Sequence, residues 1–197
     1  MTEKIREILE FWFGTDPSHP GPKAQQWWEK DPEFDATIRR KFADDLSRAV
    51  RGEYETWKDS PRGTLAWIIL LDQFSRNIFR DSPEAFVHDA MARDTCERGL
   101  EKGFDKKLTP NERAFFYMPL MHSESRDDHE LSLIMYRQLE EGAPPDLRAL
   151  LENNYRYAQR HAAIVRRFGR YPHRNKVLGR TSTPEEIEFL KEPGSSF

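Results

Sequence analysis

The chain has 197 residues, 37% apolar and 33% charged, with five Trp and thirteen Phe, which suits one globular domain over 1–197 and excludes a disordered chain. Its single cysteine, Cys96, excludes an internal disulfide and fits a reducing compartment. No apolar run approaches the roughly 20 residues that span a bilayer, and MTEKIREILEFW lacks the layout of a signal peptide, so a soluble cytoplasmic protein is expected.

Ile5, Ile8, Leu9 and Trp12 share one face of a first helix, which Gly14 ends. Three prolines between Asp16 and Lys23 make a loop, and Trp27 and Trp28 come next in a short turn or helix. A start signal then recurs. Asp31-Pro32, Ser60-Pro61, Ser82-Pro83, Thr109-Pro110 and Thr183-Pro184 each set a capping side chain before a proline at the first helical position. Thr109…Glu112 and Thr183…Glu186 also have capping-box spacing.

The first of these starts predicts a helix over Pro32–Arg51, stopped by Gly52. The second opens the central helix, whose stretch Leu65–Arg80 reads LAWIILLDQFSRNIFR. An all-round apolar run belongs inside a core. The polar residues just beyond it, Asp72, Gln73, Arg76 and Asn77, fall in two adjacent i,i+4 rows. They fit a ligand site lined by a carboxylate, a guanidinium and two amides, but the spacing alone favours a buried ion pair with amides capping the backbone. Further helices are predicted over Pro83–Lys102 with Phe86 and Ala90 inward, and from Pro110 to Tyr117, where Pro119 intervenes. Leu131, Ile134, Met135 and Leu139 define one ending at Gly142, and Leu147 to Phe168 a long one ending at Gly169. A short helix, Pro184–Leu190, closes the chain.

The stretches Pro32–Gly52 and Pro83–Gly103 have equal length and repeat after about fifty residues, which suggests stacked αα-hairpins. The predicted fold is all-α: a compact, right-handed, tetratricopeptide-like stack, although no repeat of about 34 residues is legible.

His122-Ser123-Glu124 lies just after Pro119 and could supply a base with its orienting carboxylate, or two metal ligands. No histidine has a diagnostic metal spacing, so no metal site and no cofactor is assigned. His161 lies on the stripe of Ala158 and Val165 and reads as a core residue, as does the Cys96 thiol. From Asn153 to Pro184 there are eight Lys/Arg and no acidic residue, against 23 basic and 34 acidic residues elsewhere. Within that block RRFGRYPHRNKVLGR presents His173, Arg174 and Asn175 after a turn at Tyr171-Pro172, a pattern suited to binding carboxylate or phosphate. The same arginines could instead clasp Asp72, Glu124, Asp127, Asp128 and Glu130. The acidic body argues against duplex nucleic acid as a partner.

The segments ILEFWFG, WWEKDPEFD, LDQFSRN with IFRDSPEAF, NERAFFYMPLMHSE and RFGRYPHRNKVLGRTSTPEEIEFL closely resemble the uncharacterised, mainly bacterial "domain of unknown function 924" family, over nearly the whole chain. That resemblance implies an all-helical, tetratricopeptide-like fold and no assigned activity. Residues matching its motifs are Asp72, Gln73, Arg76, Asn77, His122, Glu124, Arg167, Phe168, Gly169, His173, Arg174 and Asn175. Ser75 and His129 depart from its usual proline and glutamine. One pocket is therefore expected, lined by Asp72, Gln73, Arg76, Asn77, His122, Glu124, Arg167, His173, Arg174 and Asn175, for a small anion or an acidic peptide terminus. A hydrolase-like enzyme is the alternative, with His122 or His173 as base, Glu124 or Asp72 orienting it, and a metal optional. A scaffold gripping partner peptides rests on the fold alone.

Overall fold

All five proline-capped starts form in the computed structural model, which describes residues 2–196. Met1 and Phe197, the ends of the domain expected over 1–197, lie outside the described residues. Asp31, Ser60, Ser82, Thr109 and Thr183 each accept a backbone N–H from the turn they open, and Thr109 and Thr183 complete capping boxes. These caps satisfy amides that a helix start otherwise leaves without partners.

The α-helices are α1 (Glu3–Phe13), α2 (Pro32–Val50), α3 (Pro61–Ile68), α4 (Ser75–Ile78), α5 (Asp89–Glu101), α6 (Pro110–Phe116), α7 (Met118–His122), α8 (Arg126–Glu141), α9 (Arg148–Phe168) and α10 (Pro184–Phe189). Short 3-10 turns fill several of the connections, and no helix among the described residues is long and apolar enough to cross a membrane. The result is a compact all-α domain.

Its centre is α3 and the turn that continues it. Every side chain from Leu65 to Leu71 is fully buried, as the unbroken apolar run requires. Around it Trp12 meets Trp27, Phe34, Phe74 and Phe115 at ring separations of 5.8, 6.1, 5.5 and 5.7 Å. A smaller cluster of Ile164, Val165, Tyr171 and Phe189 lies under the C-terminal segment.

Two elements differ from expectation. The central helix is not α throughout: Ile69–Phe74 winds as a π-helix, with the Ser75 N–H donating to the Leu70 carbonyl. Such single π turns are frequent at functional sites, and this one carries Asp72 and Gln73. The predicted helix Pro83–Lys102 is instead a 3-10 turn, Pro83–Phe86, succeeded by α5 from Asp89. The tighter winding and the break rotate α5 relative to the turn before it, so Ala90 is exposed and the inward face passes to Ala92, Thr95, Cys96 and Gly99. That break also interrupts the echo of α2, and with it the regular hairpin repeat.

Candidate functional site

Asp72 is the buried hub of the polar cluster. Its side chain is fully enclosed, and three groups donate to it: His122 Nδ1 at 2.7 Å, Gln73 Nε2 at 2.5 Å and Arg76 Nη2 at 3.3 Å. A carboxylate only accepts, so Nδ1 carries the proton and His122 presents Nε2 on its open edge. That atom has no partner among the described residues, and the ring keeps 16% of its surface exposed. Burial pushes the Asp72 carboxyl up. The electrostatic pull of His122 and Arg76 and the donated hydrogen bonds outweigh that and hold it well below the usual carboxylate range.

Local sequence explains the placement. Pro119 has no N–H to continue α6, so the chain restarts as α7 and ends at His122, with Ser123 extended beyond it. Gly169, at φ 70, ends α9 in the left-handed conformation that glycine adopts freely and turns the chain back. Tyr171 then donates its hydroxyl to the Met121 carbonyl at 2.5 Å, pinning the C-terminal loop beside His122. The 3-10 turn Pro172–Arg174 carries His173 and Arg174 into the cluster. Rings link the two ends: His122 to His161 at 6.3 Å, His161 to Tyr171 at 5.7 Å and Tyr171 to His173 at 5.3 Å.

Charge converges on Asp89, the first residue of α5. Arg76 Nη2 reaches both of its oxygens, at 3.0 and 3.1 Å, and Arg174 Nη1 reaches one at 3.4 Å. Both guanidiniums also lie near the Phe86 ring, 5.1 and 4.8 Å from its centre. Burial, then the like charge of Arg76, pulls Arg174 down to about 10 despite Asp89. Burial with the same two arginines pulls His173 down to about 4.

The remaining expected residues scatter. Gln73 bridges Asp72 and the Met118 sulfur at 3.2 Å. Asn77 turns away to Asp35 at 2.8 Å, where Arg80 also binds. Glu124 is clamped by Arg180 at 2.6 and 2.9 Å and by the Tyr171 N–H at 2.7 Å, which leaves Asp72 as the carboxylate that orients His122. Asn175 is buried and donates to Ser182 and Glu186, holding the loop from behind. Arg167 lies on the surface, paired with Glu185. The arginine clasp forms with one of the expected carboxylates, Glu124, held by Arg180, whereas Arg170 takes Glu186 and Asp128 belongs to Arg93.

Sequence reasoning missed Asp89 and Phe86. The break before α5 that brings them over Arg76 has no Gly or Pro to announce it. His161 is a core residue, as read, and His129 is tied to backbone too: His129 Nε2 donates to the Ser123 carbonyl and His161 Nδ1 to that of Tyr157, both at 2.8 Å. Burial lowers both rings, so they stay neutral.

Among the described residues, no three His, Cys, Asp or Glu side chains converge to hold a metal. Clefts of 160 and 460 Å³ occur elsewhere, and no residue of this cluster lines either. Concavity and chemistry thus part company, and the cluster is the candidate because buried opposed charges meet there.

The family is decided by one comparison: residues 8–194 match the family described as "Bacterial protein of unknown function (DUF924)". The chain belongs to the DUF924 family. A solved structure titled "Structure of Protein of Unknown Function ATU0120 from Agrobacterium tumefaciens" is similar to this DUF924 protein at 32% identity, with a TM-score of 0.82, covering 95% of this chain and 96% of that one. No functionally curated protein matches it.

The buried histidines make the DUF924 protein acid-sensitive in a defined window. A histidine whose folded pKa is lowered binds its proton first in the unfolded state, so stability falls as pH drops from about 6.5. For His173 the loss runs down to about 4, with His129 and His161 adding in the same direction. The expected result is a free energy of unfolding that declines between pH 7 and 4, by up to about 1.4 kcal/mol per pH unit for each histidine that differs, with the melting temperature falling alongside. His173→Gln should flatten that decline, and an unchanged slope in the variant would place His173 outside the buried cluster.

Proposed function

We propose that this DUF924 protein binds a small anion, a phosphate or a carboxylate group, at the surface formed by Arg174, Arg76 and His173 beside His122. The observation that carries the reading is Arg174. A buried guanidinium is stable when carboxylates fill its donors. Of the five N–H donors an arginine offers, Arg174 commits one to a carboxylate, at 3.4 Å, and shares that carboxylate with Arg76. Its Nε is buried without a partner among the described residues, as is that of Arg76. Asp72 and Asp89 balance the two guanidiniums in charge but not in hydrogen bonds, and an added anion would accept from the N–H donors that Arg174 has left over. A peptide C-terminus has the same chemistry and is covered by the same reading, on a tetratricopeptide-like helical frame or any other.

The test is titration with inorganic phosphate and with acetate, monitored by amide shifts at Ser123, His173 and Arg174. Saturable shifts are expected, and Arg174→Lys should weaken binding about tenfold or more, because an ammonium cannot reproduce the planar fork. Equal affinity in a variant that melts like wild type would overturn the reading.

A second reading, hydrolysis, has an observation of its own. The 2.7 Å bond from His122 Nδ1 to a buried, ionised Asp72 fixes the tautomer that leaves Nε2 basic and open. His122→Asn keeps a donor toward Asp72 and removes the base. It should lower any hydrolysis of small anionic esters about 10²–10⁴-fold. Equal rates in wild type and variant, or no rate above background in wild type, would remove this reading while leaving the anion site standing.

A further inference from the structure

We infer that the cleft between α5, α8 and the 3-10 turn Asp105–Lys107 binds a small organic cation, a primary ammonium on an apolar stem, at a site that shares no residue with the anion site. The cleft measures 460 Å³, inside the range of about 300–1,000 Å³ usual for small-molecule sites. Glu97, Leu100 and Glu101 line it from α5, and Leu131 and Met135 from α8. The spacings i, i+3, i+4 and i, i+4 make each set one face of its helix. Leu100, Leu131 and Met135 are half-buried against the main core, so the walls of the cleft are in part apolar and suit a hydrocarbon stem. Ile134, one turn beyond Leu131 on α8, is 51% exposed and lengthens that apolar side.

The polar end is a carboxylate held in place before any ligand arrives. Asp105 lines the cleft and is 4% exposed. The Tyr117 hydroxyl donates to its Oδ2 at 2.8 Å, and Arg113 Nη2 stands 3.9 Å from the same oxygen. Burial pushes the Tyr117 hydroxyl up, so it stays a donor at neutral pH. Both partners therefore address one oxygen. Oδ1 reaches the surface and receives no hydrogen bond from any described residue, although a carboxylate offers about four lone-pair sites. A charge that is nearly buried and half-satisfied is costly, and an ammonium donor completes it.

The surrounding charge favours a cation. Glu97 pairs with Arg93 at 2.8 Å, but the same guanidinium also serves Asp94 at 3.2 Å and Asp128 at 2.9 Å. Glu101 has no ion-pair partner among the described residues, and Lys106 is the one cation among those that line the cleft. Asp94, Glu97, Glu101, Asp105 and Asp128 thus outnumber Arg93, Lys106 and Arg113, and negative charge is in excess. The same field reaches Cys96 on α5: burial first, and then the charges of Glu97, Asp72, Asp105 and Asp128, push its thiol up.

The test is titration of the intact protein with n-hexylammonium chloride, monitored by the methyl signals of Leu100, Leu131 and Met135. Saturable shifts are expected, and none with n-hexanoate at the same ionic strength, which has the stem and the opposite charge. n-Butylammonium, two methylenes shorter, should bind about tenfold more weakly. Asp105→Asn keeps an acceptor for Tyr117 and removes the charge, and should weaken n-hexylammonium binding about tenfold. Glu101→Gln changes an exposed side chain and should weaken it about threefold without altering the melting temperature. No saturable shift with n-hexylammonium, equal affinity for n-hexanoate, or unchanged affinity in a folded Asp105→Asn protein would overturn the inference. Where Asp105→Asn does not fold, wild-type affinity in Glu101→Gln would overturn it instead.

Discussion

Asp72→Ala is expected to destabilise the protein by about 3–5 kcal/mol, the cost of removing one partner of a buried ion pair. The loss is large because three donors converge on that carboxylate. Removing it leaves the His122 Nδ1–H, the Gln73 amide and a buried edge of Arg76 facing a cavity. Arg76 keeps Asp89, so the damage should centre on His122 and the π turn. Asp72→Asn retains the shape and one acceptor, and should cost less. The acid dependence has a definite sign. A carboxyl held below its unfolded value adds stability that is present above about pH 4 and is lost as the pH falls through its folded pKa. Urea denaturation at pH 7 and at successively lower pH measures both effects. The variant should lose less stability than wild type on acidification below about pH 4. A cost under about 1 kcal/mol at pH 7, the range of an exposed pair, would mean that Asp72 does not anchor this cluster.

Glu186→Ala is expected to release the C-terminal segment while the rest of the domain stays folded. Glu186 is 2% exposed and accepts from Arg170 at 2.7 and 2.8 Å, from Asn175 at 3.2 Å and from the Thr183 N–H at 2.7 Å. These bonds tie α10 to the loop that carries His173 and Arg174. The group lies close beneath the surface, so a cost of about 2–3 kcal/mol is expected, below that of a deeply buried pair. Arg170 and its companions hold the carboxyl down to about 2. The stability it adds is present above about pH 4.3 and is lost as the pH falls through about 2. Hydrogen exchange should show protection lost across residues 170–190 and kept in α3. Phosphate affinity at the His122 cluster should fall with it. Unchanged exchange in that segment would show that α10 is held by Phe189 and Phe168 alone.

The two carboxylates act at different levels. Asp72 sets the position and tautomer of one side chain, whereas Glu186 sets the position of a whole loop. Both matter for the same reason: a cationic group is useful to a ligand when its geometry is fixed before the ligand arrives.

The amino-acid chain alone settled the local features. Capping side chains before prolines, glycines past helix ends and the run from Leu65 to Leu71 act over a few residues, so the starts, the stops and the central position of α3 were legible. So was the polar composition of the cluster at Asp72, Arg76, His122, His173 and Arg174. The three-dimensional packing decided who pairs with whom. With 34 acidic residues available, nothing in the chain assigns Arg174 to Asp89, 85 positions away, or Arg93 to Asp128, 35 away. It likewise removed Asn77 and Arg167 from the cluster and brought in Phe86. Helix starts are settled by energies within one turn. Ion-pair partners are settled by the docking of surfaces whose separation in sequence leaves no local trace.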